Sequence, residues 1–335
     1  MLGNIIKSPI FILMIKIQNI NNVSIEIIQG DCTIEHKTIK DGSIDLILTD
    51  LPYGTITDIA NSDTIKHGLK DKTSWDSIID TEKIHEIANR ILRKNGKMVL
   101  FSQQPFTTEL IIKQLPNLPF NYSMIWKKDH FANSLIAKKA PLNYYEDILV
   151  FSKMHDYEGI HPLRPYFKKI LDFIGLNKKT IIDNIGQSVD HCLRVDSSQF
   201  SLCTEKTYNK LIETYGIDKM EGFREFSDII KINDGLNSTF NLWEGNKFKS
   251  NIFEYKKDYD GYHPTQKPVL LLEDLIKTFS NEGNTIVDLT MGSGSTGVAC
   301  INTKRNFIGI EKDEKYFSIA KSRMEQKTTK PYTLF

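Results

Sequence analysis

Two short stretches bring together residue types that can do chemistry. "TDLPYG" (49–54) ends an apolar run, "SIDLILTDLPYG", with a carboxylate, a proline and an aromatic ring: Asp50, Pro52 and Tyr53. An ordinary loop, with Asp50 capping a turn beside Pro52 and Gly54, would account for it. The second stretch, "DLTMGSGSTG" (288–297), sets Gly292, Gly294 and Gly297 between an apolar strand and a helix. Such a turn lets backbone amides approach a ligand, and the helix start favours negative charge. Glu311 closes the next strand, "FIGIE", about twenty residues beyond the first glycine, where an acid can accept hydrogen bonds from two ribose hydroxyls. Together the strand, the glycine turn, the helix and the acid point to a nucleoside-type ligand.

These turns need strands beneath them. "VSIEIIQG" (23–30) alternates and "IDLILT" (44–49) is continuously apolar. "KMVLFS" (97–102) follows a helical segment in which Ile84, Ile87, Ala88, Ile91 and Leu92 recur at helical spacing and which Gly96 should stop. "NYSMIWKK" (121–128), "EDILVFSK" (146–153), "NTIVDLT" and "RNFIGIE" complete the strands. Apolar strands alternating with helices predict a mostly parallel α/β sheet covered on both faces. In such a sheet ligands bind at the carboxyl ends of the strands, so both turns should face one crevice. A dinucleotide would need a second binding half and a hydride-accepting site, and neither is found. S-adenosylmethionine needs only one crevice.

Composition sets limits. The chain has 335 residues, 40% hydrophobic and 25% charged, with a net charge of +1. That suits one large domain with an insertion, or two domains, and leaves polyanion contacts to local patches. Cys32, Cys192, Cys203 and Cys300 are scattered, which argues against structural zinc and a disulfide framework. The apolar stretch Ile10–Ile15 is too short to span a bilayer and lacks a small-residue cleavage site. It reads as an edge strand or an extension, and the expected compartment is the cytoplasm.

On these motifs the chain resembles the N6-adenine/N4-cytosine DNA amino-methyltransferases, in the permuted, phage-like order with the catalytic motif first. "TDLPYG" resembles the Asp-Pro-Pro-Tyr motif of that family, "DLTMGSGSTG" its cofactor loop, and "GYHPTQKP" (261–268) the stretch before that loop. "IIQGDC", "IWKK" and "NYYEDILVFSK" resemble further parts of the core, so the likeness covers 23–153 and 261–325. It implies a Rossmann-like methyltransferase sheet with S-adenosylmethionine as cofactor. Asp50, Pro52 and Tyr53 would be catalytic. Asp31, Lys267, Asp288, Gly292, Gly294, Ser295, Thr296 and Glu311 would hold the cofactor. Two departures stand out: Leu51 replaces the first proline, and Thr290 stands where an aromatic residue often meets the cofactor. Trp75 and Asp76 resemble a stretch of phage relatives, although core packing explains Trp75 as well, and His263 should fix its own turn.

Residues 154–260 break the rhythm with short helices, and are expected to form an inserted, mainly helical target-recognition lobe between the catalytic (23–153) and cofactor (261–325) parts. Residues 1–22 and 326–335 would be an extension and a tail. "LRPYFKK" and "NKKT" place Lys168, Lys169, Lys178 and Lys179 as DNA-backbone contacts, in the outline of a helix-turn-helix. The expected partner is double-stranded DNA, with a cognate restriction enzyme as a further partner and a monomer or homodimer as the assembly. The acid at 50 leans toward adenine N6, because cytosine N4 enzymes often carry serine there. N4-cytosine methylation, or a DNA-binding relative without activity, is the alternative. RNA and protein methyltransferases usually order these motifs in reverse, and a dehydrogenase fits least.

Overall fold

The computed structural model describes residues 13–18, 23–53, 79–132, 138, 141–155, 161–197, 199–262 and 266–329. Gly54, Trp75, Asp76 and His263 lie outside them. Nine described strands form one sheet: β1 (Leu13–Gln18), β2 (Ser24–Gln29), β3 (Ile44–Asp50), β4 (Leu92–Ser102), β5 (Phe120–Ala132), β6 (Asn143–Ser152), β7 (Ile252–Glu254), β8 (Thr285–Asp288) and β9 (Asn306–Glu311). Their spatial order is β1-β2-β9-β8-β3-β4-β6-β5-β7. The pairs β2/β9, β9/β8, β8/β3, β3/β4 and β5/β7 are parallel, whereas β1/β2, β4/β6 and β6/β5 are antiparallel. The parallel centre is what the run of apolar strands predicts, while the antiparallel pairings of β1 and β6 make the sheet as a whole mixed.

One face carries the helices α1 (Cys32–Glu35), α2 (Thr81–Ile91) and α3 (Phe106–Ile112). There the α2 stripe of Ile84, Ile87, Ala88 and Ile91 packs on Ile47, Met98, Leu100 and Val287. The helix stops earlier than Gly96. Leu92 already begins β4, and the β3/β4 register slips between Ile44 and Leu46. Gly96 sits at this irregularity, where a Cβ would lie 2.9 Å from the Arg93 carbonyl oxygen, so the glycine serves a crowded strand and not a helix end.

The lobe helices follow in the chain: α4 (Arg164–Ile174), α5 (Lys178–Ile185), α6 (Glu205–Tyr215) and α7 (Phe226–Asp234). They surround an apolar cluster of their own, with Phe167, Ile170, Ile181, Tyr208, Leu211 and Ile229 at its centre. The chain rejoins the sheet before residue 260, because β7 adds to the far side of β5. The opposite face of the sheet carries α8 (Val269–Phe279), α9 (Ser295–Asn302) and α10 (Glu314–Thr329). Residues 13–18, inside the expected N-terminal extension, are an edge strand on β2. No helix of the described residues is long and apolar enough to cross a membrane.

The chain runs from β3 through α2 to β4 on one side, and from β8 through α9 to β9 on the other. Strand order therefore reverses between β3 and β8, the place where a sheet of this kind sets its ligand crevice, at the strands' carboxyl ends. Beneath it, Phe307 fills the space above Gly297 and Gly309, where added Cβ atoms would come within 2.9 and 2.6 Å of its ring. Phe307→Ala should lower unfolding stability by about 3–5 kcal/mol, read from urea denaturation, as expected for a buried ring removed from a core that depends on it.

Candidate active site

Asp50 is the last residue of β3, and Leu51 packs into the core below it, leaving Pro52 and Tyr53 half-buried at the rim. The replacement of the first proline by Leu51 thus keeps an apolar anchor under the turn. One oxygen of Asp50 accepts a hydrogen bond from the Tyr53 hydroxyl at 2.8 Å. The other pairs with the ammonium of Lys267. Burial pushes the Asp50 carboxyl above its ordinary value, against the opposing pull of Lys267. The Tyr53 hydroxyl is held well above its own value, by burial and then by Asp50. Its ring leans on Phe106, with centroids 5.5 Å apart.

Sequence resemblance puts Lys267 at the cofactor. Its ammonium lies between Asp50 and the Glu146 carboxylate, at 3.2 Å from the latter, and over the Phe101 ring at 5.1 Å. Sequence reasoning misses Glu146 in this role, because its one signal is a charge flanking an apolar strand.

Asp288, at the end of β8, is buried. Its Oδ1 accepts from the Thr49 hydroxyl at 2.8 Å and from the Thr290 amide at 3.1 Å, and its Oδ2 from the Thr296 hydroxyl at 2.6 Å. Thr290 in turn donates its hydroxyl to the Asp50 carbonyl at 2.9 Å. Asp288 and Thr296, both expected to touch a ligand, are engaged in joining the glycine turn to β3. Burial, first among its causes, lifts the Asp288 carboxyl to about 6.

Gly294, at φ 80°, caps the start of α9, and a Cβ there would lie 2.9 Å from the Ala320 Cβ. Gly292 donates its amide to Glu311 Oε2 at 2.8 Å, and Asp313 donates its own to Oε1 at 2.7 Å. Each oxygen keeps acceptor capacity beyond these bonds. Burial raises the Glu311 carboxyl. Arg323 of α10 reaches under the turn to the Ser293 carbonyl at 2.8 Å and the Ser295 hydroxyl at 3.2 Å, which gives Ser295 an internal partner. Gln266 lies beside Ser293, and its buried Nε2 has no hydrogen-bond partner among the described residues.

Asp31 caps α1, accepting from the Thr33 amide at 2.9 Å, and pairs with Lys312 at 3.1 Å. Burial opposes its ionisation, yet Thr33 and Lys312 hold the carboxyl below its usual value. Asp31, Glu311, Asp288 and Asp50 therefore follow one another along adjacent strand ends, from β2 through β9 and β8 to β3. Four acids in a row suit a positively charged ligand and repel a pyrophosphate. With the open donor of Gln266 and the spare acceptors of Glu311, they fit S-adenosylmethionine, whose sulfonium is cationic. Among the described residues no cluster of His, Cys, Asp or Glu is arranged to hold a metal ion.

The DNA methylase family model, for N6 and N4 methyltransferases, matches residues 44–322. The chain belongs to that family. It is 27% identical over 292 residues to the Type II methyltransferase M2.DpnII of Streptococcus pneumoniae, covering 86% of this chain and 84% of that one. It is 26% identical over 304 residues to the DNA adenine methyltransferase YhdJ of Escherichia coli K12, covering 89% and 82%. Among solved structures, the cytosine-N4-specific PvuII DNA methyltransferase superposes with a TM-score of 0.52 at 12% identity, over 93% of this chain and 88% of that one, which shows a shared fold.

In this methyltransferase Lys168, Lys169 and Lys179 are exposed on α4 and α5, while Lys178 is half-buried and paired with Asp190 at 2.7 Å. That pairing makes Lys178 part of the lobe's own structure. The four lysines lie on the lobe and not at the crevice.

The Asp288 carboxyl carries a pH signature. Its folded value of about 6 exceeds the ordinary 3.8, so the folded state binds the extra proton and stability falls as pH rises through that window. Asp288→Asn should gain on the wild type progressively from about pH 4 to about pH 6 and level off above. Urea midpoints of both proteins across that range check it.

Proposed function

We propose that this protein methylates the N6 amine of adenine at a specific site in double-stranded DNA, with S-adenosylmethionine as the methyl donor. The observation that carries the reading is the Asp50 carboxylate at the end of β3, joined through Thr290 to the glycine turn at the end of β8. The cofactor supplies an electrophilic methyl group on a positively charged sulfur. Glu311 would hold its ribose, Gln266 its polar end, and the Gly292–Gly294 turn its close approach, with Asp31 at the far end of the row.

An adenine amine is a weak nucleophile because its lone pair is delocalised into the ring. Asp50 accepts one amino hydrogen, and the backbone carbonyl of Leu51 or Pro52 accepts the other. The lone pair is then freed toward the crevice. Each methyl gained costs the amine one proton, and Asp50, whose proton affinity burial has raised, is placed to take it. Positioning and fixed charges supply the acceleration, so no covalent intermediate with the protein is required. The base must leave the duplex to reach Asp50, and the Tyr53 ring at the rim offers it a stacking surface. The carboxylate at this position and the relative named as an adenine methyltransferase favour adenine over cytosine.

The test is methyl transfer from labelled cofactor to DNA, followed by identification of the methylated base. N6-methyladenine is expected, and N4-methylcytosine would replace the adenine reading with the cytosine one. Asp50→Ala should lower kcat by about a hundredfold or more with its melting temperature maintained, as when a preorganised polar group is removed from an active site. Near wild-type turnover by that variant would overturn the mechanism.

Sequence reading falls to the lobe in this proposal. Neutralising Lys168, Lys169 and Lys179 together should weaken DNA binding and reduce the salt slope by about one for each phosphate that is no longer neutralised. Cofactor affinity should hold. Titration of labelled DNA at several salt concentrations, beside calorimetry with the cofactor, gives both readouts.

A further inference from the structure

The charges around Asp50 form a chain that continues past its immediate partner. Lys267 pairs with Asp50 and with Glu146, and Glu146 pairs through its other oxygen with Lys128 at 2.6 Å. Lys128 in turn lies 5.4 Å from the Trp126 ring. The signs alternate, from carboxylate to ammonium to carboxylate to ammonium, and the four charges sum to zero. Four separate parts of the chain contribute: β3, the turn before α8, β6 and β5. The side chains of Lys267, Glu146 and Lys128 are 6, 10 and 10% exposed, against 25% for Asp50. Only the catalytic end of this charge chain opens toward solvent.

Such a construction is costly unless every member is paired. Among the described residues Glu146 Oε2 has no hydrogen-bond partner, so its interaction there is the ion pair with Lys267. Two carboxylates therefore divide one buried ammonium. If Lys267 were absent, Asp50 and Glu146 would face each other as like charges, and one of them would take up a proton. A protonated Asp50 offers a hydrogen-bond donor where the target amine needs an acceptor.

We propose that Lys267 is a positioning residue that keeps the Asp50 carboxylate charged and aimed at the crevice, and that Glu146, backed by Lys128, sets how strongly it does so. The inference rests on the assignment of Asp50 as the group that meets the target amine. Other groups facing this cluster are the Tyr53 hydroxyl, Asp147 of β6, Lys257 and Asp288 of β8. Burial alone would drive the Lys267 ammonium down, and Asp50 and Glu146 together hold it above its ordinary value. Burial likewise pushes Glu146 up, and Lys267 and Lys128 overcome it and bring it below its ordinary value. Both shifts agree with a shared ammonium.

Two substitutions should move Asp50 in opposite directions. Lys267→Gln leaves two carboxylates without their shared cation, so the Asp50 titration midpoint should rise by about one pH unit or more. Glu146→Gln keeps the shape, removes the competing charge and gives Lys267 to Asp50 alone, so the midpoint should fall. The measurement is NMR titration of isotope-labelled aspartate carboxyl resonances, with Asp50 assigned by its loss in Asp50→Asn. Melting temperatures and cofactor calorimetry accompany each variant. The acid limb of the pH profile for methyl transfer should follow the same signs. Midpoints that stay in place, or shift together in one direction, would overturn the proposal, since a purely structural role predicts no opposition of sign. Opposite midpoint shifts in a protein that methylates no DNA would uphold the charge chain and reject the function proposed above.

Discussion

A buried carboxylate, Asp288, receives hydroxyl groups from two different parts of the chain at once. Thr49 reaches it from β3 and Thr296 from the first turn of α9, while Thr290 bonds across to the Asp50 carbonyl. In water these contacts would be worth little. Inside the sheet each unmade bond would leave a buried polar group without a partner, at a cost of about 1–3 kcal/mol. The separation between the Asp50 turn and the glycine turn is therefore set by several short bonds that must all be made together. Methyl transfer demands that two reacting groups meet at fixed distance, and this joint fixes the two platforms on which they would sit.

The same crevice poses an electrostatic problem. Acids at the ends of β2, β9, β8 and β3 crowd one edge of the sheet, and several are raised by burial. The structure answers locally at each. Asp31 is stabilised by a helix cap and Lys312, Glu311 by two backbone amides, and Asp288 by hydroxyls. Of the four, Asp50 alone is given a buried lysine. The cost of holding negative charge is thus met differently at Asp50 than at Asp31, Glu311 and Asp288.

Much of this is legible from sequence because the informative residues sit together in it. The Asp50–Tyr53 turn and the glycine turn with Glu311 are each local, and the apolar strands that carry them announce themselves by continuity. What is not legible depends on topology. Glu146 and Lys128 meet only because β5 and β6 are paired, and Lys267 meets Asp50 across more than half the chain. Thr290 reads as a missing aromatic contact and is a hydrogen-bonding link. Gly96 reads as a helix stop because glycine often is one, and no periodicity reveals that Leu92 has already turned into strand. The paired Lys178 is a similar case, since a basic cluster in sequence does not disclose an Asp190 folded against it.

The manner in which the chain leaves and re-enters the sheet uncouples two of its parts. It departs after β6 and returns at β7, and these two strands flank the single strand β5. The helices in between have their own apolar interior, and none of the four members of the charge chain comes from them. Closing a connection between neighbouring points costs little more for a long segment than for a short one. The helices are thus a cassette plugged into a socket one strand wide, and a change in the cassette's length need not move the strand ends that carry the charge chain.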